Sequence, residues 1–286
     1  MKKMKDIINK NAYLGISALL FLGIIAGFLM ADRLQKKEYR IICLGDSIVG
    51  NVRDDTSITA ILEESLGMPV YNGAFGGTTA SATNREERAS LAMDSISLTK
   101  LADAICYGDF SVPNASVNSW SVIDYFPDAA YGLSKVDLNK VEVLIIEHGV
   151  NDYLAAVPLD NEQNPYDVFT FGGTLRHVLK ELKEKRPDIR ILLCTPTYMW
   201  YVEEETDCEE LNLGGGYLED YVNLELEIAR EFGVYVLDNY HDSGIGGSFE
   251  NWPEYTVDGL HLNEEGRRLI AGRIAEAVRG MEETQD

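Results

Sequence analysis

Three short motifs in the sequence carry side chains that can act together in nucleophilic catalysis. They are Gly45-Asp46-Ser47, Gly149-Val-Asn151-Asp152 and Asp258-Gly-Leu-His261. A serine hydroxyl is a poor nucleophile until a base removes its proton during attack, and a histidine can do this near neutral pH. Asp258 stands three residues before His261 and can hold one ring nitrogen so that the other faces Ser47. The pattern therefore predicts a serine nucleophile with a histidine base.

Strands and helices alternate along the chain, and the motifs come just after strands. Short apolar runs predict strands at Tyr39–Leu44, Pro69–Asn72, Val141–Ile146, Ile189–Cys194 and Val234–Leu237. Apolar periodicity and caps predict helices that start after Thr56 or Ser57, that cover Arg85–Ile105, Tyr166–Lys185 and Tyr217–Phe232, and that start after Asn263. Such alternation is typical of a parallel sheet covered by helices on both faces. In such a sheet the ligand site lies at the carboxyl ends of the strands.

The segment Cys106–Val136 is predicted to be irregular. It contains Pro113 and Pro127 and is rich in aromatic residues. An irregular segment of that length in a compact domain is usually a lid or a binding loop. Ordinary packing is an equally good interpretation, and the sequence leaves both open.

In this order and at these positions, the motifs resemble the SGNH or GDSL-type serine esterases and lipases. This hydrolase family is named for a Ser, a Gly, an Asn and a His in four sequence blocks. Leu44-Gly-Asp-Ser-Ile48 matches the first block, Gly149–Asp152 matches the third and Asp258–His261 matches the last. The resemblance spans about Ile41 to Val278. It implies a three-layer α/β/α sandwich in which five parallel strands follow the flavodoxin-like order.

The resemblance also implies an oxyanion hole. Attack on an ester leaves an alkoxide that needs hydrogen-bond donors. The expected donors are the backbone N–H groups of Ser47 and Gly77 and the side-chain amide of Asn151. The second block of the family is a single glycine after the second strand, for which Gly77 fits best and Gly76 remains an alternative. No metal or other cofactor is implied.

The three remaining histidines have other interpretations. His241, which is followed by Asp242, is the main rival for the base, and the Asp258-x-x-His261 motif favours His261. His148 stands close to Asn151 and either lines the pocket or packs in the core. His177 falls in a predicted helix, at its surface or in the core.

Two groups of larger side chains flank the predicted site. Tyr198, Met199 and Trp200 follow the fourth strand, and Trp252 and Tyr255 precede the last motif. They shape a pocket for the acyl or alcohol group, or they are ordinary packing around loops.

The first 40 residues differ from the rest. Residues 12–31 carry no charge, and a helix of about 20 residues is about 30 Å long, which is the thickness of a bilayer's hydrocarbon core. We expect a basic tail at residues 1–11, a transmembrane anchor or signal segment at 12–31, a basic linker at 32–40 and a hydrolase domain at 41–286.

An uncleaved anchor is the favoured interpretation of residues 12–31. The run is longer than a typical signal core, and no clean Ala-x-Ala site follows it. The short basic tail favours a single-pass protein with its domain outside the cytoplasm. A secreted domain, released by signal cleavage, is the alternative. Gly23 and Gly27 form a Gly-x-x-x-Gly motif, which can pack two such helices together in a homodimer.

Charge and cysteine content exclude several classes of function. Residues 41–286 hold 17 Lys and Arg against 44 Asp and Glu, a net charge of −27. Such a surface repels phosphate backbones, so no nucleic-acid partner is expected. The four cysteines lack the spacing of a zinc site. Cys43 and Cys194 fall in apolar runs and are expected in the core. Cys106 and Cys208 are either free or paired in a disulfide.

We therefore expect hydrolysis of carboxylic esters. The preferred substrates are short acyl esters, acetyl above all, on a carbohydrate of the cell envelope or outside the cell. A lipase, a thioesterase and an acyltransferase remain alternatives, because the fold and the catalytic residues do not fix the substrate. A catalytically silent binding domain is the alternative of another class. Its mark is a missing Ser, Asn or His, and none of these is missing.

Overall fold

The computed structural model describes residues 36–83, 93–120 and 123–283. The chain divides into two compact units, Met1–Lys37 and Glu38–Asp286, and every element below belongs to the second. The predicted tail, the apolar segment 12–31 with its Gly23 and Gly27, and residues 32–35 of the linker lie outside the described residues. Within the described part, no helix combines the length and the apolar character that crossing a membrane requires.

The core of the domain is a parallel sheet of five strands. The strands of the domain are β1 Ile41–Gly45, β2 Val70–Asn72, β3 Val143–Glu147, β4 Arg190–Cys194, β5 Trp200–Tyr201, β6 Thr206–Asp207 and β7 Tyr235–Leu237. The parallel sheet has the order β2-β1-β3-β4-β7, while β5 and β6 form a separate antiparallel pair. All residues of β1 and β3 are buried, as expected for strands covered on both faces. The predicted five-stranded parallel sheet is confirmed.

Helices cover the sheet. They are α1 Ser47–Gly50, α2 Ile58–Leu66, α3 Leu98–Tyr107, α4 Ser111–Trp120, α5 Phe126–Lys135, α6 Val150–Leu154, α7 Phe171–Lys185, α8 Leu218–Phe232, α9 Asn239–Asp242, α10 Trp252–Tyr255 and α11 Glu264–Glu283. The long helices form two packed groups, α2 with α11 and α3 with α7 and α8. Ser57 caps α2 by accepting the Ala60 N–H at 3.1 Å, and Asn263 accepts the Gly266 N–H at 3.0 Å at the start of α11.

Two predicted helices start later than expected. The helix predicted over Arg85–Ile105 begins at Leu98, because the extended backbone of Ser97 interrupts it. Residues 84–92 lie outside the described part of the chain. The helix predicted from Tyr166 begins at Phe171, where the Thr170 hydroxyl caps it by accepting the Gly173 N–H at 3.1 Å.

The prediction that Cys106–Val136 is irregular is wrong, because α4 and α5 occupy most of it. Pro113 and Pro127 lie in the first turns of these helices, where a proline removes no intrahelical hydrogen bond. The segment packs beside β2. The Tyr71 hydroxyl donates to the Ala129 carbonyl at 2.6 Å. The rings of Phe75 and Phe126 pack edge to face, with their centroids 5.2 Å apart.

All four cysteines are free and buried. The alternative of a Cys106–Cys208 disulfide is therefore not realised. Cys106 lies on α3, whereas the Cys208 thiol lies 3.7 Å from the Tyr240 hydroxyl. Burial raises the pKa of Cys43 and of Cys106 to about 12, so these thiols stay protonated and unreactive at neutral pH.

Candidate active site

The turn after β1 presents Ser47 at the carboxyl edge of the sheet. Gly45 ends the strand, and a Cβ at this position would lie 3.0 Å from the Glu147 carbonyl oxygen of β3. Asp46 is fully buried, and its carboxylate accepts the Ile48 N–H at 2.9 Å. This side chain caps α1, of which Ser47 is the first residue. The strand end and the cap together fix where the serine hydroxyl lies.

Ser47, His261 and Asp258 form one hydrogen-bonded chain. The Ser47 Oγ lies 3.0 Å from the His261 Nε2, and the Asp258 Oδ2 lies 2.7 Å from the His261 Nδ1. The other Asp258 oxygen accepts the His261 backbone N–H at 2.7 Å. Partial burial alone would raise the pKa of Asp258, but these hydrogen bonds lower it. Asp258 is therefore ionised at neutral pH and keeps the ring oriented toward Ser47.

The β5–β6 pair supports the loop that carries Asp258 and His261. The Trp200 N–H donates to the Gly259 carbonyl at 2.9 Å. Gly259 has a φ of +89°, and a Cβ there would lie 2.4 Å from the Trp200 carbonyl oxygen, so only glycine fits. Tyr198, Met199 and Trp200 are all buried. Of the two interpretations that the sequence left open for these residues, packing around loops therefore applies, and Trp200 contacts the loop directly.

The candidate oxyanion donors come from three segments. The N–H groups of Ser47 and Gly77 make no hydrogen bond among the described residues. The Gly76 N–H, in contrast, donates to the Tyr125 hydroxyl at 2.8 Å. The Asn151 side-chain amide donates to the Thr78 carbonyl at 3.0 Å, which leaves its second N–H for another acceptor. The geometry thus favours Gly77 over Gly76.

Asp152 joins the Asn151 motif to the loop after β2. Its buried carboxylate accepts the N–H groups of Ala80 at 2.7 Å and Ser81 at 3.0 Å. Burial raises the pKa of Asp152 to about 6. The two backbone donors compensate part of the cost of burying this charge. Asp152 therefore holds the Gly77 loop and α6 in a fixed relation.

Two more buried carboxyl groups lie beneath Ser47. Burial raises the pKa of Asp46 to about 7. Burial, and next the neighbouring Asp46 charge, raise the pKa of Glu147 well above its ordinary value. The raised pKa favours the uncharged form of Glu147, and this avoids two adjacent buried charges.

A cleft of about 320 Å³ opens beside Ser47 and His261. Its apolar lining consists of Ile48, Val52, Val257 and Leu262, and its polar lining includes Asn51 and Arg267. None of the candidate oxyanion donors except Ser47 borders this cleft, which lies on the histidine side of the serine. Trp252 and Tyr255, for which the sequence left pocket lining and packing around a loop both open, do not line this cleft.

The spacing that favoured His261 is not unique in the sequence, because Asp238 and His241 repeat it. The structure shows which of the two histidines, His241 or His261, faces Ser47. The His241 Nδ1 lies 2.8 Å from Asp238 and its Nε2 lies 3.2 Å from Glu219, so neither ring nitrogen faces Ser47. His241 is thus a second Asp–His pair without a serine.

Among the described residues, the other two histidines make no hydrogen bond with the Ser47 hydroxyl. His148 is 2% exposed, and burial lowers its pKa to about 3. It packs in the core as a neutral ring, and so does not line an open pocket. The His177 Nε2 on α7 lies 3.5 Å from Asp103.

His241 gives the stability of the fold a pH dependence. Partial burial opposes ionisation, but the hydrogen bonds to Asp238 and Glu219 raise the pKa of His241. The stabilisation that His241 contributes to the fold is therefore complete below its pKa in the unfolded chain, about 6.5. It is lost as the pH rises through the higher pKa that His241 has in the folded state. We expect His241→Gln to lower the free energy of unfolding more at pH 5.5 than at pH 9, as measured by urea unfolding. An equal loss at both pH values would contradict this.

The chain is similar in fold to several solved structures. One crystal structure superposes with a TM-score of 0.63 at 24% sequence identity. The match covers 85% of this chain and 97% of the chain in that structure. The structure of a Lactobacillus plantarum protein gives a TM-score of 0.61 at 20% sequence identity, and the match covers 85% of this chain and 98% of that protein's chain. A possible lipase from Chitinophaga pinensis DSM 2588 gives 0.54 at 19% identity, with coverage of 85% and 99%. At these sequence identities, the structural similarity establishes only the fold. A comparison with curated proteins gives no match.

The family model of the GDSL-like lipase/acylhydrolase family matches residues 43–269. The match extends from the strand before Ser47 to the helix after His261, and it includes the motifs from which the resemblance was predicted. That resemblance is confirmed. The chain belongs to the GDSL-like lipase/acylhydrolase family.

Proposed function

We propose that the domain hydrolyses carboxylic esters, with Ser47 as the nucleophile and His261 as its base. The observation that carries this proposal is the 3.0 Å contact between Ser47 Oγ and His261 Nε2, with Asp258 on the opposite ring nitrogen. A catalytically silent binding domain has no need for this arrangement. Acyl transfer to an alcohol acceptor in place of water uses the same groups and remains the alternative within the family.

The proposed reaction has two halves. His261 takes the proton of Ser47 as the oxygen attacks the carbonyl carbon, and the resulting alkoxide accepts N–H bonds from Ser47, Gly77 and Asn151. When the alkoxide collapses, the C–O bond to the alcohol breaks and His261 returns its proton to the leaving oxygen. Water then attacks the acyl-serine in the same way, which releases the acid and restores Ser47.

The cleft receives the alcohol part of the ester in this proposal. The leaving oxygen must lie within reach of the protonated His261, and the cleft is on this side of Ser47. Its volume of about 320 Å³ is near the lower end for ligand pockets, which run from about 300 to 1,000 Å³. Asn51 and Arg267 offer N–H donors there, which suit an alcohol that carries further oxygens, such as a sugar.

The roles of the three catalytic residues predict an order of effects. We expect Ser47→Ala and His261→Ala each to lower kcat by roughly a thousandfold or more, because both take part in every proton and bond transfer. Asp258→Ala should leave at least about ten times more activity than His261→Ala, since Asp258 orients the ring and does not transfer the proton. The measurement is steady-state hydrolysis of 4-nitrophenyl acetate by the soluble domain.

His241→Ala is the matched control for this series. It removes the histidine of the second Asp-x-x-His motif, whose ring faces Asp238 and Glu219, and it should keep the wild-type kcat. Circular dichroism and thermal unfolding of every variant exclude loss of fold. A Ser47→Ala protein that hydrolyses the ester at the wild-type rate would end the proposal.

Short acyl groups are the proposed substrates. The domain charge of −27 disfavours anionic lipids, and the small cleft supports a compact ester. With 4-nitrophenyl esters from acetyl to palmitoyl, we expect kcat/KM to be highest for acetyl and to fall as the chain lengthens. An acetylated sugar tested beside them reports on the alcohol part. A maximum at eight carbons or longer would favour a lipase instead.

The proposed place of action is the outer face of a membrane, and it rests on the apolar run at residues 12–31. A tether holds the domain close to polymers of the cell envelope and so raises their effective concentration. We expect the full-length protein in the membrane fraction after a salt wash, with the domain cleaved by protease added to intact cells. A mature N-terminus near residue 32 would indicate a cleaved signal, and protection from the protease would contradict the orientation.

A further inference from the structure

The hydroxyl of Tyr125 lies between two segments of the candidate site. It is 2.8 Å from the Gly76 backbone nitrogen and 3.2 Å from the Asn51 Oδ1. Gly76 directly precedes Gly77, and Asn51 directly follows the helix that begins with Ser47. Tyr125 itself comes from the stretch between α4 and α5, which contains none of the four family blocks. A residue outside the motifs thus contacts both the residue before Gly77 and the residue after the helix that begins with Ser47.

The hydrogen bonds of this tyrosine have only one consistent direction. A phenol has one O–H donor and can also accept. The Gly76 N–H can only donate, so the Tyr125 oxygen accepts there, and its own hydrogen goes to the Asn51 Oδ1. Burial raises the pKa of Tyr125, so the hydroxyl keeps this hydrogen at neutral pH. Deprotonation of Tyr125 therefore does not break the bridge near neutral pH.

The surrounding backbone is packed too closely to shift without cost. A Cβ at Gly76 would lie 2.4 Å from the Asn51 Oδ1. A Cβ at Gly50, in the nucleophile helix, would lie 3.1 Å from the Ala74 carbonyl oxygen and 3.1 Å from the Tyr125 hydroxyl. The end of α1, the loop after β2 and the tyrosine therefore meet at van der Waals distance.

Arg53 also links the end of α1 with the loop after β2, and it packs against the ring of Tyr125. Its guanidinium donates to the carbonyls of Gly50 at 3.0 Å, Ala74 at 2.6 Å and Asn72 at 3.2 Å. The guanidinium carbon lies 4.2 Å from the centroid of the Tyr125 ring, which is within the range of a cation–π contact. Arg53 fixes the carbonyls of the loop and the ring, while the Tyr125 hydroxyl fixes the N–H before Gly77.

We infer that Tyr125 is a positioning residue, which holds the Gly76–Gly77 loop so that the Gly77 N–H is aimed at the alkoxide together with the Ser47 N–H. This inference rests on the proposed function. The two N–H groups belong to segments 30 residues apart in sequence, so their spacing depends on bridges between the segments. Donors that are fixed in advance toward the developing charge stabilise the transition state more than the bound substrate.

Tyr125→Phe tests this inference, because it keeps the ring and its contact with Arg53 and removes only the hydroxyl. We expect kcat for 4-nitrophenyl acetate to fall roughly three- to tenfold, the effect of one neutral hydrogen bond, with KM changed less than about twofold. Tyr71→Phe is the matched control. It removes a hydroxyl that donates to Ala129 on α5 but does not contact the Gly76–Gly77 loop, and it should leave kcat unchanged.

A second readout separates positioning from general destabilisation. A boronic acid that adds to Ser47 forms a tetrahedral anion, which needs the same donors as the alkoxide. We expect Tyr125→Phe to weaken its binding by the same factor as it lowers kcat, at a temperature well below unfolding, while Tyr71→Phe does not.

The outcomes distinguish this inference from the proposed function. Unchanged kcat and boronate affinity in Tyr125→Phe, with activity still abolished by Ser47→Ala, would overturn the inference alone. Equal losses in Tyr125→Phe and Tyr71→Phe would also overturn it, because they would indicate a structural role. Full activity of Ser47→Ala would instead refute the proposed function.

Discussion

The parallel pairing of β1 with β3 places Gly45 beside Glu147, and the rest of the site depends on this register. Because both strands end at the same level, the turn that carries Ser47 and the turn that carries Asn151 emerge side by side. β2 pairs with β1 on the other side, through Cys43 and Asn72, and brings the glycine loop to the same edge. A one-residue shift of the β1–β3 register would move Ser47 away from the Asn151 amide and turn the side chains of the shifted strand to the opposite face of the sheet.

Buried carboxyl groups hold these turns together, and each has a different way to reduce the cost of burial. Asp152 accepts two backbone N–H groups from the loop after β2. Asp46 caps the nucleophile helix. Burial and the nearby Asp46 raise the pKa of Glu147 and so favour its uncharged form. Asp258, by contrast, is half exposed and ionised, and its charge faces the ring of His261. The site thus separates acids that fix the backbone from the one acid that acts on the histidine.

Local sequence patterns predict the strands and the motif residues, because apolar runs and strand-end turns are set by neighbours in the chain. Local patterns fail where the role of a residue depends on contacts with residues far away in the sequence. The Asp-x-x-His spacing occurs at Asp238 and at Asp258, and only the fold shows which histidine meets Ser47. Pro113 and Pro127 suggested an irregular segment, although each lies in the first turn of a helix. No local signal marks Tyr125, whose partners lie 49 and 74 residues away.

The contact between Ser47 and His261 joins residues 214 positions apart, and this separation has a consequence during synthesis of the protein. Chains grow from the N-terminus, at about 5 to 20 residues per second, so the serine emerges long before its base. For ten seconds or more on that scale, the growing chain contains a hydroxyl that nothing activates. The chemistry becomes available only after all five strands of the sheet have been synthesised. A polypeptide that stops short of the last loop therefore lacks the base, whatever part of the fold it reaches.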